Sequence, residues 1–292
     1  MNNPSTTFRS RGLLAIVLLA VAMLGGCGGA TDFSTAGRLE NGLVLILPGI
    51  EGESGLNHDI RNGLVAGGVD CAVSIRSWGR ILPPPFGMLA SQVDVIGNRL
   101  VARSIAKDVA EYQDKHPGKP VYIIGHSGGG GIAVFVAENM PDGHKVDGLI
   151  LLSASISSAY DVTKALENTR RGIVNLYNKG DGMLLGVGTT LFGNVDGIRG
   201  PSAGLLSFDA PPEKASPSKH EAYKRLYQVQ VTQEMSLGGS SHTSSTEPGF
   251  VSLYIAPWLL SPQWPLDTSG GAWSLGVPPQ IPATLTPSAR QR

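Results

Sequence analysis

Cysteine, net charge and internal repetition are what this sequence has least of. Only Cys27 and Cys71 occur among its 292 residues, so no disulfide framework is available to it and a Cys27–Cys71 bridge is the one intrachain pairing open. Lys plus Arg and Asp plus Glu stand at 23 each, which removes the electrostatic footprint expected of a nucleic-acid or polyanion binder. No internal repeat is seen. What remains is a chain with 41% hydrophobic residues, enough for one large globular domain or two small ones, one being the simpler reading.

The longest apolar run lies at the amino end. Arg9 and Arg11 precede "GLLAIVLLAVAMLGG", whose apolar stretch Leu13 to Leu24 is shorter than the roughly 20 residues of a membrane span and ends in small residues, as a cleaved export signal does. The end of the run, "LGGC" (Leu24 to Cys27), resembles the bacterial lipobox. That resemblance implies a signal peptide over 1–26, lipid modification of Cys27, a linker over 27–40, and a protein anchored to a membrane of the cell envelope on its periplasmic or extracellular side. An uncleaved signal anchor and an ordinary secretory signal are the alternatives. Cys71, in the strand-like "DCAVSI", reads as a small buried hydrophobe.

From Asn41 the chain alternates short apolar runs with helical patterns, which predicts a mostly parallel sheet with helices on both faces. Strands are expected in "GLVLILPGI", "CAVSIRSW", "VYIIG", "VDGLILLSASI", "GIVNLYN" and "YQVQVT". Helices are expected in "LNHDIRNGLVAGG", from Asp94 to Lys115, in "GGGIAVFVAENM" and, as the last one, near His220 to Leu226. The domain so defined covers 41–261, and 262–292 reads as an irregular proline-rich tail.

One turn in this pattern carries chemistry. "GHSGG" (Gly125 to Gly129) fits G-x-S-x-G, with an apolar strand before it and a helix after it. A strained turn there exposes Ser127 at a helix amino end, where unpaired N–H groups stabilise negative charge, and bulky residues at positions 125 and 129 would collide. Gly130 and Gly131 would let the helix approach the sheet. The alternative is a glycine-rich turn with an inert serine.

The pattern resembles the α/β-hydrolase superfamily from Asn41 to about Leu260. The resemblance implies that the serine is followed by an acid and then a histidine. It nominates Ser127 as nucleophile, Asp181 in "KGDG" as the acid with Asp196 in "GNVDG" as alternative, and His242 as the base, all without metal or cofactor. Its oxyanion donors would be the N–H groups of Gly128 and of Ile50, with Glu51 next in line. His126 is expected to shape the turn, His58 either faces solvent from its helix or reaches the rim of the site, and His116, His144 and His220 fall in surface connections or on an outer helix face. Pro48 stands where many relatives have a histidine, and "HGGG" is missing, so this loop departs from the common pattern.

The implied activity is cleavage of a carboxylic ester or thioester from a small-molecule or lipid substrate through an acyl-enzyme. An acyltransferase would use the same triad, and a non-catalytic envelope lipoprotein would keep only the fold. About fifteen residues separate "LILLSASI" from "GIVNLYN", too few for a full cap domain. The longer insertion, 182–215, is open to three readings: a flap over the site, an apolar acyl-binding wall, or a plain surface connection. Trp78 and the prolines 83–85 are expected at the rim of the site.

Overall fold

The central strands read as unbroken apolar runs because both of their faces are covered. The computed structural model describes residues 33–79, 91–180, 194–236 and 242–265. The unit that begins at Ser34 opens with a helical turn, α1 (Ala36–Leu39), followed by β1 (Leu43–Leu47), α2 (Gly55–Ala66), β2 (Ala72–Ile75), α3 (Val95–Lys115), β3 (Val121–His126) and α4 (Gly128–Glu138). It continues through β4 (Gly148–Leu152), α5 (Thr163–Glu167), β5 (Ile173–Tyr177), α6 (Ala203–Leu206), α7 (Pro217–Tyr223) and β6 (Leu226–Gln230). Helical turns run from Pro248 to Leu260, as α8 (Pro248–Phe250), a π-helical turn (Val251–Ile255) and α9 (Ala256–Leu260).

All six strands join one sheet in the order β2-β1-β3-β4-β5-β6, and every adjacent pair is parallel. Parallel neighbours need crossovers, which the helices supply. The chain leaves β1 toward β2 on one side, returns past β1 to β3, and then proceeds the other way to β4, β5 and β6. The connections after β1 and β3 therefore diverge, and a crevice opens between them at the carboxyl ends of the strands, the place where ligands bind in sheets of this kind.

On one face, α4 packs against α3 and α5. It is buried from Gly128 through Glu138, so its apolar residues show no single stripe. Right-handed crossovers put α2 on the other face, where it meets the helical turns after Pro248. That contact is close because glycines lie in α2 and just past its end: a Cβ on Gly63 would lie 2.6 Å from the Pro248 carbonyl oxygen, and one on Gly67, the residue that caps α2, would lie 2.4 Å from Ala256 Cβ.

The helical stretch 248–260 goes beyond the sequence expectation, which placed the last helix near His220. Pro248, Gly249 and Pro257 each lower helix propensity. Burial of Phe250, Val251, Ile255, Ala256 and Trp258 supplies the stability that propensity does not. The short helix α5 is a second addition, within the fifteen-residue connection.

The described part of the long insertion is packed rather than hinged. Asn194, Val195, Ser202, Ala203 and Phe208 are buried. Asn175 Nδ2 donates to the Ala203 carbonyl at 2.9 Å, and Gln228 Nε2 donates to that of Phe208 at 2.9 Å. Residues 194–208 are thus part of the wall of the fold.

At the amino ends of the strands an aromatic cluster closes the sheet. Trp264 stacks on Tyr122 and meets Trp258 edge-on at 5.2 Å between ring centroids. Its Nε1–H donates to the Trp258 carbonyl at 2.7 Å. A Cβ on Gly148 would lie 2.3 Å from its ring, so the glycine that begins β4 makes room for the indole.

Candidate active site

The loops after β1, β2 and β3 meet in the crevice. β3 ends at His126 and α4 begins at Gly128, leaving Ser127 alone to turn the chain with φ 52° and ψ −121°. Serine carries strain in that conformation. Ser153 and Ser207 also have positive φ, so strain by itself does not mark the site; position does. From Val121 to Glu138, Ser127 is the one residue that is not buried.

The glycines of the motif are required by contacts. A Cβ on Gly125 would lie 2.4 Å from the Gly129 carbonyl oxygen, and one on Gly129 would lie 2.1 Å from the Leu47 and 2.3 Å from the Pro48 carbonyl oxygens. Gly130 and Gly131 face Ala154 and Val195, where a Cβ would come within 2.5 Å and 2.2 Å. Two outside bonds hold the turn, Ser127 N–H to the Leu152 carbonyl and Ser155 N–H to the Ser127 carbonyl, both at 2.9 Å.

Two backbone N–H groups lie near the turn. Gly128 is the first residue of α4, so its N–H has no acceptor within the helix and carries the positive end of the helix dipole. Across the crevice, the Gly49 N–H is taken by Glu51 Oε1 at 3.2 Å, whereas the Ile50 N–H has no acceptor among the described residues. A Cβ on Gly128 would lie 3.0 Å from Ile50 Cγ2. The loop after β1 and the start of α4 are therefore in contact.

His242 is buried beside the turn. Its ring lies 5.1 Å from that of His126, centroid to centroid, and with a proton on Nε2 His126 donates to the His242 carbonyl at 3.4 Å. The other ring nitrogen, Nδ1, faces Glu51 Oε1 at 3.9 Å. Burial by itself raises the Glu51 carboxyl, but the His126 contact and the Gly49 amide outweigh it, so Glu51 titrates below the ordinary glutamate range. The structure thus makes Glu51 a loop-holding group, a role the sequence did not disclose, while Glu53 pairs with His58 at 2.9 Å on the surface.

Asp181 and Cys27 lie outside the described residues. The alternative acid, Asp196, sits on the α3 face. Burial raises its pKa against the opposing pull of nearby backbone amides of Ile198 and Ser157 and of Arg99, and neither carboxylate oxygen makes a hydrogen bond among the described residues. The other histidines are surface groups: His116 faces Glu40 at 3.0 Å and His144 faces Asp114 at 2.9 Å. Among the described residues no three metal-binding side chains cluster, and no helix is long and apolar enough to cross a membrane.

Trp78, expected only at the rim, is buried at 6% exposure with its Nε1–H bonded to the Pro48 carbonyl at 2.7 Å. Its ring edge lies against Gly128. Trp78 also lines a cavity of about 330 Å³ with Asp94, Gly97, Asn98, Leu100 and Val101.

A family model described as alpha/beta hydrolase fold matches residues 42–179, the segment from β1 to just past β5. No curated protein sequence matches the chain. Among solved structures, lipase B of Aspergillus fumigatus is similar at 15% identity and a TM-score of 0.41, over 77% of this chain and 53% of its own. This chain spans about half of that lipase. The esterase domain of a Rhodothermus marinus protein is similar at 14% identity and 0.41, over 78% and 88%. Est1E from Butyrivibrio proteoclasticus is similar at 15% and 0.42, over 78% and 90%. A parallel six-stranded sheet covered on both faces, with the family match over its first five strands, is an α/β-hydrolase fold.

Proposed function

We propose that this chain is a serine hydrolase that cleaves a carboxylic ester or thioester at Ser127. One observation carries the reading: Ser127 stands half-buried, among fully buried neighbours, in a strained turn at the head of α4, beside the Gly128 and Ile50 N–H groups, which have no acceptor among the described residues. A serine so placed is suited to attack an acyl carbon, with those N–H groups as donors to the oxyanion that forms.

In this mechanism His242 takes the Ser127 hydroxyl proton while Oγ attacks the acyl carbon, and the carbonyl oxygen becomes an oxyanion held by Gly128 and Ile50. Collapse breaks the bond to the leaving alcohol or thiol, which receives that proton from His242. Water then attacks the acyl-serine, gives its proton to His242, and the acid leaves as the Ser127 hydroxyl is restored. Asp181 is assigned to orient His242 and stabilise its imidazolium. The protein reaches its substrate from the envelope membrane, tethered by a lipid on Cys27.

Reaction with a fluorophosphonate followed by peptide mass spectrometry tests this directly. A single adduct on Ser127, lost in His242→Ala, is expected; a folded protein that takes no adduct overturns the reading. For the anchor, a mature chain from membranes should begin at Cys27 with added acyl mass, and an unmodified amino terminus elsewhere rejects it.

A further inference from the structure

We propose that Trp78 is a positioning residue that sets the distance and tilt of the two oxyanion donors; the inference rests on the Ser127 reading above. The indole touches both halves of the donor pair. Its Nε1–H donates to the Pro48 carbonyl at 2.7 Å in a buried hydrogen bond. Its far edge meets Gly128, where a Cβ would lie 3.1 Å from Cζ2 and 3.2 Å from Cη2.

The first contact acts through peptide geometry. The Pro48 carbonyl and the Gly49 N–H belong to one planar peptide unit. Trp78 holds its oxygen end, and Glu51 Oε1 holds its N–H end at 3.2 Å. The next peptide, whose N–H is Ile50's, turns only about φ and ψ of Gly49, and its own oxygen end, the Gly49 carbonyl, accepts from the Gly52 N–H at 3.1 Å, so its direction is held relative to the plane that Trp78 fixes. Indole N–H is a donor only, so the bond has a single sense and the ring cannot flip to an equivalent arrangement. The second contact bears on the spacing: the same rigid ring packs beside Ile50 Cγ2 against Gly128, so the indole and the β1 loop meet the start of α4 at one point.

Donors of this kind stabilise the oxyanion only within a narrow distance range, and they act on charge that develops after the ground state. Loss of the Trp78 bond therefore lowers kcat and weakens tetrahedral adducts while leaving KM nearly unchanged. Removal of a whole donor costs about a hundred- to a thousandfold, so loosening one should cost roughly tenfold.

The test uses the full chain with p-nitrophenyl esters, active sites being counted by fluorophosphonate titration. Trp78→Phe removes the donor, and benzothienylalanine at position 78 removes it with the ring shape intact. Both should lower kcat per titrated site about tenfold, weaken phenylboronic acid binding by a similar factor and leave KM within about twofold. A fall in melting temperature with unchanged kcat per site and unchanged boronic acid affinity would make Trp78 merely structural. A raised KM at constant kcat would make it a substrate-pocket wall, which also overturns the proposal. Absence of a Ser127 adduct in the unsubstituted protein would instead remove the underlying Ser127 reading, and this inference with it.

Discussion

The two ends of the sheet are closed by opposite means. At the carboxyl ends of the strands, glycines and backbone atoms approach one another: Gly125 against Gly129, Gly129 against the Leu47 and Pro48 carbonyls, and Gly130 against Ala154. At the amino ends, large rings fill the space, with Trp258, Trp264, Tyr122 and Tyr227 packed together. The first arrangement fixes backbone direction with almost no side-chain volume. The second buries apolar area and constrains backbone little. The function proposed above uses the first end, where N–H groups have to be held at set positions, and the second adds buried apolar area.

Substitutions that separate turnover from folding sharpen this contrast. Ser127→Ala should lower turnover about 10⁴- to 10⁶-fold while leaving the fold intact. Ser127→Gly should be equally inactive but more stable than Ser127→Ala by about 1 kcal/mol, because glycine accepts φ 52° without strain. Denaturant unfolding of the two variants checks that; equal stabilities would mean that the turn stores no strain.

Gly129→Ala forces a methyl to within 2.1 Å of the Leu47 carbonyl oxygen. It should cost about 3 kcal/mol and nearly all turnover together, since relief requires β1 and α4 to part. Retained activity with normal stability would show that this end tolerates what its geometry forbids. Trp264→Ala, at the other end, should cost about 2 kcal/mol, less than a fully buried tryptophan because Trp264 is half-buried. Its kcat per titrated site should stay at the unsubstituted value, and a fall would couple the two ends.

The smallest effect concerns pH. The folded state holds the Glu51 carboxyl below its ordinary value of 4.5, so its contribution is complete above about pH 4.5 and is lost as pH falls through the lower folded-state value. Glu51→Gln should therefore lower the melting temperature at neutral pH by a few degrees, with the gap to the unsubstituted protein closing toward pH 3. A gap that persists in acid would assign the effect to packing rather than to charge.

The two ends also differed in how legibly they were written. The turn at Ser127 is a local object: strand, turn and helix lie within a few residues, and each glycine answers a contact that the turn itself creates, so "YIIGHSGGGG" carries nearly the whole of it. The parallel sheet was legible for a similar reason, because strands covered on both faces must read as continuous apolar runs. The helical turns 248–260 were not legible, since Pro248, Gly249 and Pro257 oppose a helix and only the glycine-lined face of α2 makes one worthwhile. The insertion 182–215 was open to three readings from sequence, flap, acyl-binding wall or surface connection, and only its packing shows that Ala203 and Phe208 are tied to Asn175 and Gln228.

The sequence by itself determined the turn at Ser127 and the fold class, because these rest on local sterics and on patterns of burial. Tertiary structure alone decided which distant groups hold the site. Trp78 reaches Pro48 across 30 residues and His126 reaches the His242 carbonyl across 116. Such pairings carry no periodicity or spacing in the chain; they exist only once β1, β3 and the loop after β6 have been brought to the same end of one sheet.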